Sequence, residues 1–477
     1  MHDLAVIGDD LSSHVAAAVG AVYGLDTVLV APHGTGGFFL VDDFAFNIDP
    51  TPLSGFGANQ VLLSLMAELD IPEIEREGKI LNPAYQIILP RHRIDFFNEK
   101  EALVNEMARE FPQYSREIGA FYESAVKKSK IFSDWFKAHP FLQPLNIKDY
   151  SDYLKIVPYL LMHQMEKARF QRLLKRNSSL NKVFEAQNAL LGTTSGYQDR
   201  FSDSLQYCAP FRGIYSFPQG KQIIFNSLIK KLESKNGLYL TNCNVSAVKT
   251  GTPLEIAIAD KTGNLSSLAA KHLIVSTKWE GMNLLLTGQK KINFGDRISP
   301  VQVVHWPFTV HLGTFIKCMP EKMARHLAIV SDVQKNIFDN NLIVLESSRP
   351  QDEPIHADNK VSLSATVFLP ADTEAWSREN LSATSSSIME RLDNFLPFLK
   401  DNIEYFDLDK SIEISRLSRS VYNPKYKMRP SFITGWAARS NKTRFKNVHL
   451  TGASLLADAG FEGEIISGIN AVTRVIS

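Results

Sequence analysis

Asp3-Leu4-Ala5-Val6-Ile7-Gly8-Asp9-Asp10-Leu11-Ser12-Ser13 opens the chain on an apolar run that breaks at a glycine. Residues 3–7 have the character of a short buried strand, and Gly8 supplies the turn after it. An alanine-rich stretch over 15–23 predicts a helix, and Thr-Val-Leu-Val-Ala at 27–31 predicts a second strand. Strand, helix and strand within about 30 residues make a βαβ unit, the connection that a parallel strand pair requires.

Working outward, Gly34, Gly36 and Gly37 lead into a turn-rich stretch through Pro50 and Pro52, and a helix is predicted over 58–69, stopped before Pro72. From 99 to 192 the pattern changes to long helices, with Phe121, Tyr122, Ala125, Phe132 and Phe136 at helical spacing. After a turn at Phe217-Pro218-Gln219-Gly220, a helix and strands at 238–240, 245–249, 255–258 and 272–276 extend the first sheet. Strands at 301–304, 309–317, 341–346 and 361–368 suggest a second sheet. A strand at 448–450, a glycine-bearing turn and a terminal helix close the chain. The fold class is α/β, α+β overall: a Rossmann-like, dinucleotide-binding domain interleaved with a helical and β-sheet substrate domain. The first is expected to comprise 1–95, 205–295 and 425–477, the second 96–204 and 296–424.

The composition excludes several alternatives. With 52 basic against 51 acidic side chains in 477 residues there is no global field to attract nucleic acid. Cys208, Cys243 and Cys318 are odd in number and far apart, which supports neither a disulfide framework nor structural zinc, and a reducing cytoplasm is the expected home. No apolar run is long enough to span a bilayer, and Asp3, Asp9 and Asp10 interrupt the only candidate signal peptide. Contact with a membrane surface stays open. Nucleophile elbows, Walker loops and zinc or calcium motifs are absent from the sequence. The Asp9-Asp10 and Asp42-Asp43 pairs read as turn residues rather than metal ligands, with Asp10 or Ser12 capping the first helix. Lys127-Lys128-Ser129-Lys130 reads as a solvated helix face.

Four blocks together resemble the FAD-dependent phytoene desaturase and flavin amine oxidase superfamily. They are the βαβ unit; Gly36-Gly37 with Phe46-Asn47-Ile48-Asp49-Pro50; Phe217-Pro218-Gln219-Gly220 with Val245; and Leu450-Thr451-Gly452-Ala453, Ala459-Gly460-Phe461-Glu462-Gly463 and Ser467-Gly468. The resemblance implies FAD as cofactor, held by Gly8, Asp10, Ser13, Gly36, Gly37, Val245, Gly452, Ala453, Gly460 and Gly463. In such sites glycines bring the backbone close to a pyrophosphate, and a helix N-terminus meets its charge. It also implies a hydride taken from an apolar or amine substrate, with no signature nucleophile to find. Trp135, Phe136, Phe141, Tyr150, Tyr153 and Tyr159 fall where relatives build a substrate tunnel, although core packing explains them as well. His305, Trp306 and the Arg429-Pro430 segment are further candidates near the flavin.

The departures from that pattern are equally specific. The family's Gly-x-Gly-x-x-Gly reads Gly8-Asp9-Asp10-Leu11-Ser12-Ser13 here. A carboxylate ~4 Å from a phosphate charge, at an effective dielectric of ~20, costs about 4 kcal/mol unless paired. That is roughly a thousandfold in affinity. The second strand ends Val30-Ala31-Pro32, without the acidic residue that would hold the adenine ribose, Phe38 replaces an arginine, and Asp458 replaces a glycine. The leading expectation is an FAD-dependent oxidoreductase. The alternative is a flavin-free binding protein on the same scaffold, holding a lipid-like or peptide partner, as the Rab GDP-dissociation inhibitors of this superfamily hold prenylated partners. A nicotinamide-dependent reductase ranks last, because it meets the Asp10 objection without support from the closing block.

Overall fold

Strand β1 (His2–Ile7) ends at Gly8, helix α1 (Leu11–Val22) crosses over, and β2 (Thr27–Ala31) returns parallel to β1. Residues 4–7 and 27–31 are buried throughout, as strands covered on both faces must be. Helices α2 (Ser115–Ala138) and α3 (Ile147–Arg176) belong to the helical insertion. The chain then adds β3 (Leu238–Thr241) and β4 (Leu265–Ser276), and it closes with β5 (Val448–Thr451) and helix α4 (Gly460–Ile476). This computed structural model describes the chain except for residues 35, 58–59, 141–146, 197–198, 280–301, 349–358, 428–438 and 444, and the side chains of 147–150 and 153. The candidate segment Arg429-Pro430, Phe141, and the side chains of Tyr150 and Tyr153 therefore lie outside the described residues.

In the first sheet β3, β2, β1, β4 and β5 form one parallel run. Strand β4 serves two structures. Residues 265–270 pair antiparallel with Leu254–Asp260, which pairs in turn with Cys243–Lys249, and the second half lies between β1 and β5. Its tip, Ser276, thereby arrives beside the turn at Gly8.

The second sheet is built on Gln302–Phe315 and Lys360–Pro370. The strands expected at 301–304 and 309–317 are one continuous strand here. Pro307 is tolerated within it because Lys360–Pro370 pairs along one side only at that point, the partners on the other side lying at Gln302–His305 and Leu312–Gly313. The hairpin Tyr85–Leu89/His92–Phe96 and the strand Lys425–Lys427 also pair into this sheet. These strands lie inside the segments that the sequence assigns to the dinucleotide-type domain. Their partners are far away in the chain, so local periodicity carries no sign of them. Among the described residues no helix is long and apolar enough to cross a membrane.

Helix α1 lies between the sheet and α4, and this contact explains one glycine of the closing block. A Cβ at Gly468 would stand 2.5 Å from the Ser12 carbonyl oxygen and 3.1 Å from Val15. Gly468→Val should therefore destabilise the protein by roughly 1–3 kcal/mol through overpacking, read as a lower thermal midpoint. Gly119→Ala, whose new methyl would meet nothing closer than Val104 at 3.8 Å, should leave that midpoint unchanged or raise it.

Candidate functional site

The head of α1 is where the first turn brings its residues together. Gly8, at φ +154°, is held against its surroundings so closely that a Cβ would meet Ser13 Oγ at 2.4 Å and Ser276 Cβ at 2.5 Å. Asp10 is the N-cap of α1 and is fully buried. Its Oδ1 accepts from the Ser13 amide at 3.2 Å and from Ser13 Oγ at 2.6 Å, and its Oδ2 accepts from Ser276 Oγ at 2.8 Å. Lys278 Nζ stands 3.9 Å away and is itself bonded to Glu464 of α4 at 3.1 Å and to the Val421 carbonyl at 2.8 Å. Asn423 donates to the second oxygen of Glu464 at 2.7 Å. A buried chain of charge thus runs from α1, past the end of β4, to α4.

Asp9 is equally committed. Its carboxylate accepts the His33 amide at 2.9 Å and pairs with His33 Nδ1 at 3.0 Å, just beyond the end of β2, a strand that carries no terminal carboxylate of its own. Behind it His14 is buried edge-on to Phe225, and burial holds its pKa below the ordinary histidine value. The Asp9-Asp10 pair is therefore cap and tether, as its place at a turn suggested, and among the described residues no group of three metal-ligating side chains occurs.

Among the remaining candidate residues, backbone groups of Gly36, Gly37 and Gly452 have partners within the protein. The Gly37 amide donates to Gln222 Oε1 at 2.9 Å, and the Gly36 carbonyl accepts from the Tyr422 hydroxyl at 3.1 Å. The Gly452 amide donates to Ser467 Oγ at 3.0 Å, and Gly452 takes φ +138°, with a would-be Cβ 2.2 Å from Thr277 Oγ1. Gly460 has φ +56° at the entry to α4, Gly463 packs where a Cβ would be 2.2 Å from the Leu456 carbonyl, and Ala453 is buried in the turn that follows Gly452. Val245 packs on the cluster that holds Ile7, Val30 and Val275.

Buried ion pairs add a layer that the sequence did not reveal. Asp458, the departure from glycine, pairs with Arg200, and Glu462 pairs with Arg212 at 2.5 Å. Asp49, in the second block, pairs with Lys221, and this pairing outweighs burial to leave its carboxyl below the usual range. Each joins residues far apart in the chain, so no spacing signal marks them. The only legible hint is an acidic side chain inside a glycine-rich block. Among the aromatics, Phe136 is buried with Phe132 and Phe201, Trp135 stacks on His139, and Tyr159 is exposed. His305 stacks on Phe338, and Trp306 lies under the Arg419 guanidinium.

Two small cavities lie along this region. One of about 60 Å3 is lined by Asp49, Thr193, Lys221, Thr309, Tyr422 and Lys425, and the other, of about 20 Å3, touches Leu11, Gly37 and Glu464. Both are far below the ~300–1,000 Å3 that enclose even a drug-sized ligand. A dinucleotide needs room, amides without partners and tolerance of two phosphate charges. The head of α1 instead presents its own carboxylate in a filled space, so the residues there do not fit the group as they stand.

A larger cleft of about 310 Å3 opens in the helical insertion, between α2 and α3. Phe121, Phe170 and Leu173 give it an apolar lining, and Arg116, Lys128 and Arg169 reach it with their cationic chains. Lys128, expected on a solvated face, bridges to Glu166 of α3 at 2.6 Å. Asp199 also lines the cleft, and burial followed by the nearby Asp203 raises its pKa to about 6.

The sequence matches no described protein family and no curated protein. Solved structures do match over the whole length. Cyclohexylamine oxidase from Brevibacterium oxydans aligns over 99% of this chain and 98% of its own, with a TM-score of 0.55 and 12% identity. An oxidoreductase from Methanosarcina mazei aligns over 98% and 99%, at 0.53 and 12%. Rab GDI from Plasmodium falciparum aligns over 100% and 97%, at 0.53 and 10%. The chain has the amine-oxidase-like fold, which in these neighbours serves oxidases and Rab GDI alike.

Lys425 supplies a pH test of the interior. Its Nζ donates to the carbonyls of Ala189 and Gly192 at 2.6 and 2.5 Å, yet burial brings its pKa down to about 7. An unfolded lysine titrates near ~10.4, so between about pH 7 and ~10.4 the unfolded chain binds a proton that the folded chain does not. Stability should rise with pH across that window. In Lys425→Met this rise should disappear, measured as thermal midpoints of both proteins against pH.

Proposed function

We propose that this chain is a flavin-free binding protein on the amine-oxidase-like fold, holding a lipid-like or peptide partner. The observation that carries the reading is the Asp10 carboxylate, which stands at the head of α1 and accepts from the Ser13 amide and from the Ser13 and Ser276 hydroxyls. Added to it are the partnered amides of Gly37 and Gly452 and the acidic Glu464 nearby. Rab GDI, among the structural neighbours, is named for an inhibitor rather than an oxidase. The apolar-lined cleft between α2 and α3 is the described space best suited to a partner.

A second reading, an FAD-dependent oxidoreductase acting on an apolar or amine substrate, is favoured by the closing block. Gly452 and Gly460 keep the positive φ values of a turn that approaches a ligand, and an amine oxidase is among the neighbours. Absorption of the gently purified protein separates the two readings. The binding-protein reading expects no bands near ~370 and ~450 nm, where a protein-held flavin absorbs, and none after incubation with excess FAD and gel filtration. Stoichiometric flavin in either sample would overturn it.

A further inference from the structure

Helix α3 is apolar on two opposite faces. Ile156, Leu160, Phe170 and Leu174 are buried against the rest of the molecule. On the far side Leu154, Leu161 and Met165 are 72%, 62% and 70% exposed, and Pro158 lies exposed between them. At 3.6 residues per turn, positions i, i+4, i+7 and i+11 fall on one line. These four residues therefore form a stripe about half a turn from the buried one, with Met162 at its margin. The same line continues beyond Met165 into Arg169, Arg172 and Arg176, all exposed, with Arg169 also at the rim of the cleft beside α2. One continuous face thus changes from apolar to cationic along the helix.

Charge is concentrated here too. Helix α3 carries seven Lys or Arg against three Asp or Glu, while the whole chain has a formal charge of only +1. The helix is +4 and the remainder of the chain is −3. A single exposed leucine is ordinary, whereas an apolar stripe beside basic residues marks a contact surface.

We propose that this face of α3 docks on an anionic lipid bilayer. The stripe enters the headgroup–acyl boundary, and the three arginines meet lipid phosphates in the manner of interfacial amphipathic helices. The row of three exposed arginines beyond the stripe calls for an anionic partner surface, which an anionic bilayer offers together with an apolar interior for the stripe. Among the described residues no helix can cross a membrane, which leaves α3 lying on the surface. The inference does not depend on whether flavin is bound, and its test reads a different quantity.

The experiment is vesicle flotation of the full chain with phosphatidylcholine alone and with phosphatidylcholine mixed with phosphatidylserine. The protein should float with the mixed vesicles and not with the neutral ones, and added salt should release it. Leu161→Glu/Met165→Glu should abolish flotation. Arg172→Gln should weaken it about fivefold, the equivalent of ~1 kcal/mol for one arginine at an anionic surface. Both variants lie on an exposed face, and circular dichroism with an unchanged thermal midpoint verifies their folding. Absence of flotation with the mixed vesicles would overturn the proposal, as would equal flotation of the wild type and the Leu161→Glu/Met165→Glu variant. A dimer that this double variant dissociates, seen by light scattering without any flotation, would also overturn it and would identify a second copy as the occupant.

Discussion

A helix whose first turn is buried must find an acceptor for its unpaired amides. Here the acceptor is a carboxylate of the same chain. Asp10 caps α1, bonds the tip of β4 through Ser276, and stands beside Lys278, which passes the contact on to Glu464. The arrangement fastens the first strand turn, the central strand and the closing helix to one another. A buried carboxylate is tolerable only when its oxygens are satisfied, and both of these are. The same carboxylate takes up the Ser13 amide and places its own negative charge at the helix head, where it opposes an external anion.

This constraint gives the glycines of the closing block another meaning. Gly468 lets α4 cross α1, Gly463 lets α4 pass the Leu456 carbonyl, and Gly452 makes the turn in which Ser467 takes its amide. Glycines kept for close packing persist whether or not a cofactor lies beside them. The pairs Arg200–Asp458 and Arg212–Glu462 then tie that block to the segment that follows the helical insertion. Removing one partner of such a pair would leave a buried charge uncompensated.

What the sequence made legible follows from range. The βαβ unit and the closing strand–turn–helix are local patterns, and they lie where the periodicity placed them. The capping role of Asp10 was also visible, because an acidic residue just before an apolar helix has a physical reason to be there. Lys278, Glu464, Arg200 and Arg212 were not visible, since each matters only through a partner brought by tertiary folding. The recruitment of residues 85–96 into the second sheet was hidden for the same reason. On α3 only the folded chain reveals that one of its two apolar faces is exposed, because burial is set by partners distant in sequence.

The central claim is that the Asp10 carboxylate is the anion at the head of α1. An electron-density map from crystals of the full chain grown with FAD in excess tests it most directly. The account predicts the Asp10 carboxylate within hydrogen-bond distance of Ser13 and Ser276, with no pyrophosphate density against α1. A dinucleotide whose phosphates meet the α1 amides, with Asp10 turned away, would contradict it.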